Sequence, residues 1–311
     1  MTTFRYFARG CAASWNFRAI AAVLYLATTA LALLPALSLR SVLNSSFGPS
    51  AATLDLARGF DFTVLGDLMR NHGKEITASL AALFPTMLLS MFVNLFFAGG
   101  IIAAAQSGEV TVREFFRNSA RYAGRFVRLE VIAVALGLLL MVGLTVGASL
   151  LLDALTTHEM SEWPTVWALL IDGLVIALAL FVLSLVIDYA RIALVVEAET
   201  SAWKGFRRAL VFLFSAKIIT TFLSILFLIA LGILFALFLG LSSLADSPGS
   251  VALIVTVVLQ QAFVVGRVLL RVASLTAETT LYQEYSSVPV NMPIVDEGGG
   301  VPGTVEGTAT S

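Results

Sequence analysis

The residues of this sequence that could do chemistry are polar side chains inside long apolar stretches. The most informative is Asp172, seven residues into the apolar stretch 165–187. An ionisable group inside a membrane is costly and therefore marks a candidate functional site. Asp172 is either a protonatable group on a transport path or a packing carboxyl bonded to a hydroxyl or to water near the outer interface.

Three side-chain amides lie in other apolar stretches. Asn94 lies in the stretch 76–105, and Gln260 and Gln261 lie in 251–273. Such groups hydrogen-bond between membrane helices, at about 0.6 kcal/mol on average. We expect them to help assemble a helix bundle. The alternative is a polar path that joins Asn94 and Gln260 to Asp172.

Charged residues also stand where two apolar stretches end. Asp188 precedes Arg191 by three residues, a spacing that brings two side chains together on a helix. Arg267 is expected at a depth comparable to that of Asp188. We predict a structural ion pair between Asp188 and either Arg191 or Arg267; a gate built from these residues is the alternative.

Sequence patterns of known catalytic chemistry are absent. The chain has no phosphate-binding loop, nucleophile elbow, HExxH pair or paired cysteine motif. Its two histidines fall in different connectors, and its one cysteine, Cys11, excludes an intrachain disulfide. We therefore expect no catalytic site, no cofactor, no metal and no enzymatic activity.

Composition places these residues in a membrane protein. Of 311 residues 59% are hydrophobic and 13% are charged, whereas a soluble domain has about a quarter charged. A helix needs about 20 apolar residues to cross a hydrocarbon core about 30 Å thick. The chain has six such stretches, which predict an all-α, polytopic integral membrane bundle with spans at 19–39, 76–105, 131–152, 165–187, 218–240 and 251–273.

The two ends of the chain carry separate expectations. The first stretch is too long for an ordinary signal peptide and lacks a clean cleavage site, so we favour an uncleaved span, with processing as the alternative. The last residues, 286–311, are rich in Gly, Pro, Ser and Thr and are predicted to be a disordered cytoplasmic tail. Residues 1–285 then form one transmembrane domain.

Basic residues sort the connectors into two sides. Fifteen Lys and Arg residues lie on the side of the N-terminus, and four lie on the other. This asymmetry predicts that both termini lie in the cytoplasm, in agreement with an even number of spans. The net charge of −1 gives no indication of nucleic-acid binding.

The two large cytoplasmic connectors have amphipathic patterns. Thr111 and Glu114 have the spacing of a helix capping box, and arginines recur every four residues from Arg113 to Arg125. We expect helices at the inner headgroup surface that contact anionic lipid, the alternative being ordinary helices that follow the positive-inside rule. The candidate headgroup contacts are Arg113, Arg117, Arg121, Lys204 and Arg208.

The second connector repeats the first weakly. A shift of 91 positions places Ile101 on Ile192 and Phe115 on Phe206. A tandem repeat of helical hairpins is one explanation, and chance similarity of apolar helices is the other. Separately, the spacing of Gly143 and Gly147 permits close helix packing, within the monomer or in a dimer.

A resemblance to a known group rests on the pattern around these connectors. Gly99-Gly100, the segment 113–117 (Arg-Glu-Phe-Phe-Arg), the segment 188–191 (Asp-Tyr-Ala-Arg) and Glu197 carry it. The chain resembles six-span bacterial inner-membrane proteins, a group similar to the membrane domain joined to some glycerophosphodiester phosphodiesterases. The resemblance covers roughly residues 90–285 and implies a bacterial plasma membrane. It supplies no catalytic residue, and the chain lacks the soluble phosphodiesterase domain.

The sequence therefore favours a membrane scaffold or accessory subunit, in contact with the lipid bilayer, anionic inner-leaflet lipids and a possible membrane-protein partner. The alternative is a small transporter or permease with a polar path through spans two, four and six.

Overall fold

The computed structural model describes residues 2–47, 83–108, 111–155, 163–243 and 250–286, with a few isolated positions between 66 and 81. These residues form an all-α bundle, as predicted, and six of the helices are long and apolar enough to cross a membrane. The tail after Ser286, both histidines and most of the connector between the first two spans lie outside the described residues. The helices are α1 (Thr2–Asn16), α2 (Arg18–Phe47), α3 (Leu83–Ser107), α4 (Val112–Leu155), α5 (Trp163–Val196), α6 (Ala202–Ser243) and α7 (Ser250–Ser286).

Two short turns and the chain ends identify one end of the bundle. The α3–α4 turn, the α5–α6 turn, α1 and the last turns of α7 all lie at this end, which we call the basic end because the arginine-rich segments are there. The opposite end is the apolar end. At the α3–α4 turn the predicted capping box is present: the Glu114 amide donates to Thr111 Oγ1 at 3.3 Å, and the Thr111 amide donates to Glu114 Oε2 at 3.4 Å.

Buried side chains are concentrated at the basic end. In α3 the buried residues lie between 95 and 104, and in α4 between 115 and 129. In α5 they lie between 185 and 195, and in α7 between 268 and 282. Toward the apolar end these helices expose large aliphatic side chains, among them Leu139 and Leu174, and α6 does the same at Ile233. The described chain therefore combines a packed protein core at the basic end with an apolar surface suited to lipid.

The lengths of the helices agree with a packed core at the basic end and a lipid-facing surface toward the apolar end. The helices α4 to α7 have 34 to 44 residues, or about 51 to 66 Å at 1.5 Å per residue. A hydrocarbon core is only about 30 Å thick. In α3 the inner part of the predicted span 76–105 packs on α4 at the level of Ser119 and Tyr122, among the arginines. That part of the apolar stretch is therefore protein core. Composition alone does not distinguish apolar residues that face lipid from apolar residues packed in a protein core.

The first amphipathic connector is not a separate helix, and this part of the expectation is wrong. The second connector is followed by a kink in α6, so a helical segment does precede that span, and the contact of both segments with headgroups stays a prediction. Residues 113–128 are the first turns of α4, and 202–209 are the first turns of α6, which bends at Ala216. The apolar side of the first segment is buried against α3, with Phe115 and Phe126 fully covered. Because protein covers these rings, the segment extends its span instead of lying flat on lipid.

The structure supports a repeat, with an offset of 90 in place of 91. Gly108 and Ala198, both with positive φ, end α3 and α5 at equivalent points. Thr111 and Ser201 then begin the next helices, and their carbonyls accept from the amides of Phe115 and Gly205. Because apolar helices have similar compositions, a comparison of the sequences barely distinguishes a shift of 91 positions from a shift of 90.

The first helix completes the pattern. The N-terminal turns of α4 pack on the end of α3, and those of α6 pack on the end of α5. In the same way α1 packs on the end of α7, where Gly10 approaches Ala273 and Ala277. By contrast, Gly143 and Gly147 have no described neighbour within 4 Å of an added Cβ, so no helix of the described bundle packs closely on that pair.

Candidate functional site

Arg191 is the centre of an ion-pair cluster at the basic end. Its Nη2 lies 2.5 Å from Glu130 Oε2 of α4, and its Nη1 lies 2.9 Å from Asp188 Oδ1 one turn earlier in α5. The side chains of Arg191 and Glu130 are 12% and 19% exposed, so water screens this pair weakly. One guanidinium thus serves two carboxylates and joins α4 to α5.

The third acid of the cluster, Glu278, comes from α7. It is 3% exposed, and its Oε1 accepts a hydrogen bond of 2.9 Å from Ser274 Oγ. Its Oε2, the hydroxyl of Tyr189 and Nε of Arg191 are buried without a partner among the described residues. Arg271, two turns before Glu278 on α7, lies within electrostatic range of Asp188 and Glu278. The cluster therefore has both signs of charge and three hydrogen-bonding atoms free.

A second cluster fastens the α5–α6 turn. Arg208 of α6 pairs with Glu197 and, at 3.0 Å, with Glu199. Arg125 of α4 donates to the Glu199 carbonyl at 2.8 Å, and the Tyr282 hydroxyl of α7 donates to Glu197. These contacts bring α4, α6 and α7 together at one turn.

A third set of contacts fixes α1. Arg9 pairs with Glu284 of α7 at 2.9 Å, and the Tyr6 hydroxyl donates to the same carboxylate at 2.5 Å. Burial, followed by the hydrogen bond to Glu284, raises the pKa of Tyr6 to about 12, so this donor stays protonated at neutral pH. Burial also raises the pKa of the half-buried Cys11 thiol, which makes a reactive thiolate unfavourable.

The arrangement acts as a structural brace. A buried pair is costly to break, because the partner left behind is an uncompensated charge. The charged clusters at the basic end join every helix from α4 to α7, and the contacts of Glu284 add α1. Among the described residues no set of three or more His, Cys, Asp or Glu residues is placed to hold a metal.

The predicted ion pair is confirmed for Asp188 and Arg191. The alternative pairing, Asp188 with Arg267, is wrong: Arg267 is exposed and forms no ion pair with a described carboxylate. Arg267 and Glu278 lie on nearly the same side of α7, so the physical reason is the level along the helix: Arg271, one turn nearer the basic end than Arg267, is the α7 arginine within electrostatic range of Asp188.

Among the described residues no hydrogen bond joins the three residues of the predicted polar path to one another. Asn94 donates to the Ser90 carbonyl of its own helix at 2.8 Å, and Gln260 is exposed on α7. Asp172 is half-buried in α5. The neighbouring Gln261 does join two helices, accepting a hydrogen bond of 2.7 Å from Tyr25 of α2.

The predicted headgroup contacts differ in their availability. Arg113, Arg117, Arg121 and Lys204 are exposed at the basic end. Arg117 is only 3.9 Å from Glu114 and remains largely open to solvent. Arg208 is held by Glu197 and Glu199, so it is a structural residue of the turn and not a free cation.

Sequence reasoning missed Glu130, Glu278 and Tyr189. Glu130 directly precedes an apolar span, and Glu278 stands in an otherwise uncharged segment of α7, 272–283. An isolated acid in such a segment is a detectable signal, but its partner depends on how the helices are rotated and how far each one protrudes. Tyr189 carries no such signal.

No family model, no curated protein and no solved structure matches this chain. The six long apolar helices establish a multi-pass integral membrane protein. The resemblance to the membrane domain joined to some glycerophosphodiester phosphodiesterases stays a prediction.

Proposed function

We propose that the protein is a non-enzymatic scaffold or accessory subunit of the bacterial plasma membrane, with both termini in the cytoplasm. The observation that carries this proposal is the location of the core: buried side chains and ion pairs are concentrated at the basic end. A rigid end that protrudes beyond the bilayer is suited to holding a partner at the membrane surface.

The surface of the basic end supports a protein-binding role. Trp203 is 61% exposed and Phe116 is 41% exposed, each among exposed cations. Aromatic and arginine side chains are enriched in protein interfaces. The exposed Arg113, Arg121 and Lys204 also suit anionic lipid headgroups, since each basic residue near an anionic surface contributes about 1 kcal/mol.

The transporter alternative has weaker support. It needs Asp172, Asn94 and Gln260 on one path, whereas Asn94 is bonded within its own helix and Gln260 is exposed. A flux assay in proteoliposomes separates the two proposals. The scaffold proposal expects proton and potassium leak equal to that of empty vesicles; a leak that Asp172→Asn abolishes would establish transport instead.

Site-specific photo-crosslinking in cells tests the scaffold role. A crosslinking amino acid replaces Trp203 or Phe116 at the basic end, and Leu139 or Leu174, both exposed at the apolar end, serves as the control position. We expect a discrete protein adduct from positions 203 and 116 and lipid adducts alone from 139 and 174. Lipid adducts alone at all four positions would refute a protein-binding scaffold.

Orientation is tested separately by fused reporters. A reporter enzyme active only outside the cytoplasm should be inactive when fused after residue 286 and active when inserted in the connector between α4 and α5. The reverse pattern would overturn the proposed orientation, whatever the outcome of the crosslinking experiment.

A further inference from the structure

A groove of about 240 Å³ runs between α2 and α7. Apolar side chains of both helices line it, including Ala21, Val265 and Leu269, and Trp15 and Arg18 are the lining residues toward the basic end. Ala22 of α2 is exposed along the same groove. An apolar channel with a single cation at one end matches the chemistry of an amphiphile.

On the side of α1 and α2 the groove is as long as one leaflet is thick. From Trp15 to Tyr25 the chain advances ten residues, or about 15 Å at 1.5 Å per residue, which is half of a hydrocarbon core about 30 Å thick; on α7 the lining runs from Val265 to Leu269, about 6 Å. At the far end the Tyr25 hydroxyl donates to Gln261 Oε1 at 2.7 Å and ties α2 to α7. The groove is therefore bounded at a depth that corresponds to the middle of a bilayer.

The charge at the near end selects the ligand. Arg18 is exposed and pairs with no carboxylate among the described residues, so its guanidinium is available to an anion. Trp15 is 67% exposed beside it, and tryptophan favours the headgroup level of a membrane. The two residues together fit the phosphate and glycerol region of a lipid, with the hydrocarbon in the groove below.

We propose that this groove binds one anionic phospholipid from the leaflet at the basic end, with an acyl chain between α2 and α7 and the phosphate on Arg18. The site goes beyond the scaffold role and does not depend on it, because it requires only that the helices cross a bilayer. Bound lipid would fill the groove between the first span and the last, on the side of the Tyr25–Gln261 hydrogen bond that faces the basic end.

Native mass spectrometry of the full chain from nanodiscs tests the proposal. The nanodiscs contain equal amounts of phosphatidylglycerol and phosphatidylcholine with the same acyl chains. We expect the wild type to retain one lipid and to favour phosphatidylglycerol about fivefold, the ratio that corresponds to about 1 kcal/mol for one arginine at an anionic surface. Arg18→Gln should retain a lipid without that preference, whereas Arg128→Gln, which removes an exposed arginine of α4, should behave as the wild type.

Filling the groove tests the acyl-chain site. Ala22→Phe and, independently, Val265→Phe should release the lipid, and Ala30→Phe at an exposed position outside the groove should retain it. A lipid that persists in both groove variants would overturn the proposal, as would an unchanged preference in Arg18→Gln. A lipid-free dimer that both groove variants convert to a monomer would also overturn it, by identifying a second copy as the occupant.

Discussion

Arg191 of α5 donates a hydrogen bond of 2.5 Å to Glu130 of α4, across 61 positions of sequence. The contact lies where the lipid-facing part of the bundle meets its packed core, and the same guanidinium also holds Asp188. A mostly buried cation with two acidic partners is expected to govern how α4 and α5 associate.

Removing this cation should destabilise the protein. We expect Arg191→Gln to lower the free energy of unfolding by about 3 kcal/mol, because Glu130 would remain as a mostly buried and unpaired charge. Chemical denaturation in detergent micelles measures the change. The matched control is Arg117→Gln. Glu114 and Arg117 are three residues apart, as Asp188 and Arg191 are, but their pair is exposed, so this change should alter stability by less than about 0.5 kcal/mol. Equal losses in the two variants would contradict the role assigned to Arg191.

A second prediction concerns the contact between α3 and α4. A Cβ on Gly100 would lie 2.4 Å from Ser119 Oγ and 2.5 Å from the Phe115 ring, which is fully buried. Gly100→Ala should therefore cost about 1–3 kcal/mol through overpacking, measured by denaturation in micelles.

Its control is a glycine in the partner helix. Gly124 of α4 is exposed, and an added Cβ meets nothing within 4 Å. Gly124→Ala should stabilise the protein by about 0.5–1 kcal/mol, since alanine is the better helix former. Stability of Gly100→Ala at or above the wild-type value would show that the two helices do not approach as closely as described.

The single cysteine gives a direct probe for the docking of α1. A Cβ on Gly10 would lie 2.5 Å from the Ala273 carbonyl oxygen and 2.8 Å from Ala277 Cβ, so Gly10→Ala must move α1 away from α7. Cys11, adjacent and half-buried, should then react several-fold faster with a maleimide. The exposed Ala12→Val change is the control and should leave the rate unchanged; a rate that is the same in all three proteins would mean that α1 is not docked at Gly10.

The hydrogen bond from Tyr6 to Glu284 predicts a response to alkaline pH. The pKa of Tyr6 is about 12 in the folded protein and near 10 when the chain is unfolded. A raised folded pKa means that this contribution to stability is complete below pH 10 and is lost as the pH rises toward 12. The phenolate absorbance of the wild type minus that of Tyr6→Phe should therefore rise near pH 12. A rise centred at pH 10 would be inconsistent with a buried Tyr6.

Most of the helices could be predicted from the sequence, because an apolar stretch long enough to cross a bilayer is sufficient evidence for a membrane helix. The capping box at Thr111 and the pair of Asp188 with Arg191 were predictable for a related reason: both are local, and helix geometry alone brings such residues together.

The remainder depends on relations between helices. A sequence does not distinguish a leucine that faces lipid from a leucine in a protein core. The inner part of α3 is therefore predicted to lie in the membrane, although it packs on α4. The pairing of Glu130 with Arg191 likewise depends on how α4 and α5 are rotated, which has no local signal. For this reason the sequence predicted Asp188 and Arg191 of the charged cluster but neither Glu130 nor Glu278.

The docking of α1 on α7 has a consequence for biogenesis. The surface that receives Gly10 belongs to residues 273 and 277, which a ribosome makes long after Gly10. Translation must therefore reach residue 277 before this contact can form, and until then the described partner of α1 is α6, where Phe227 contacts Phe7.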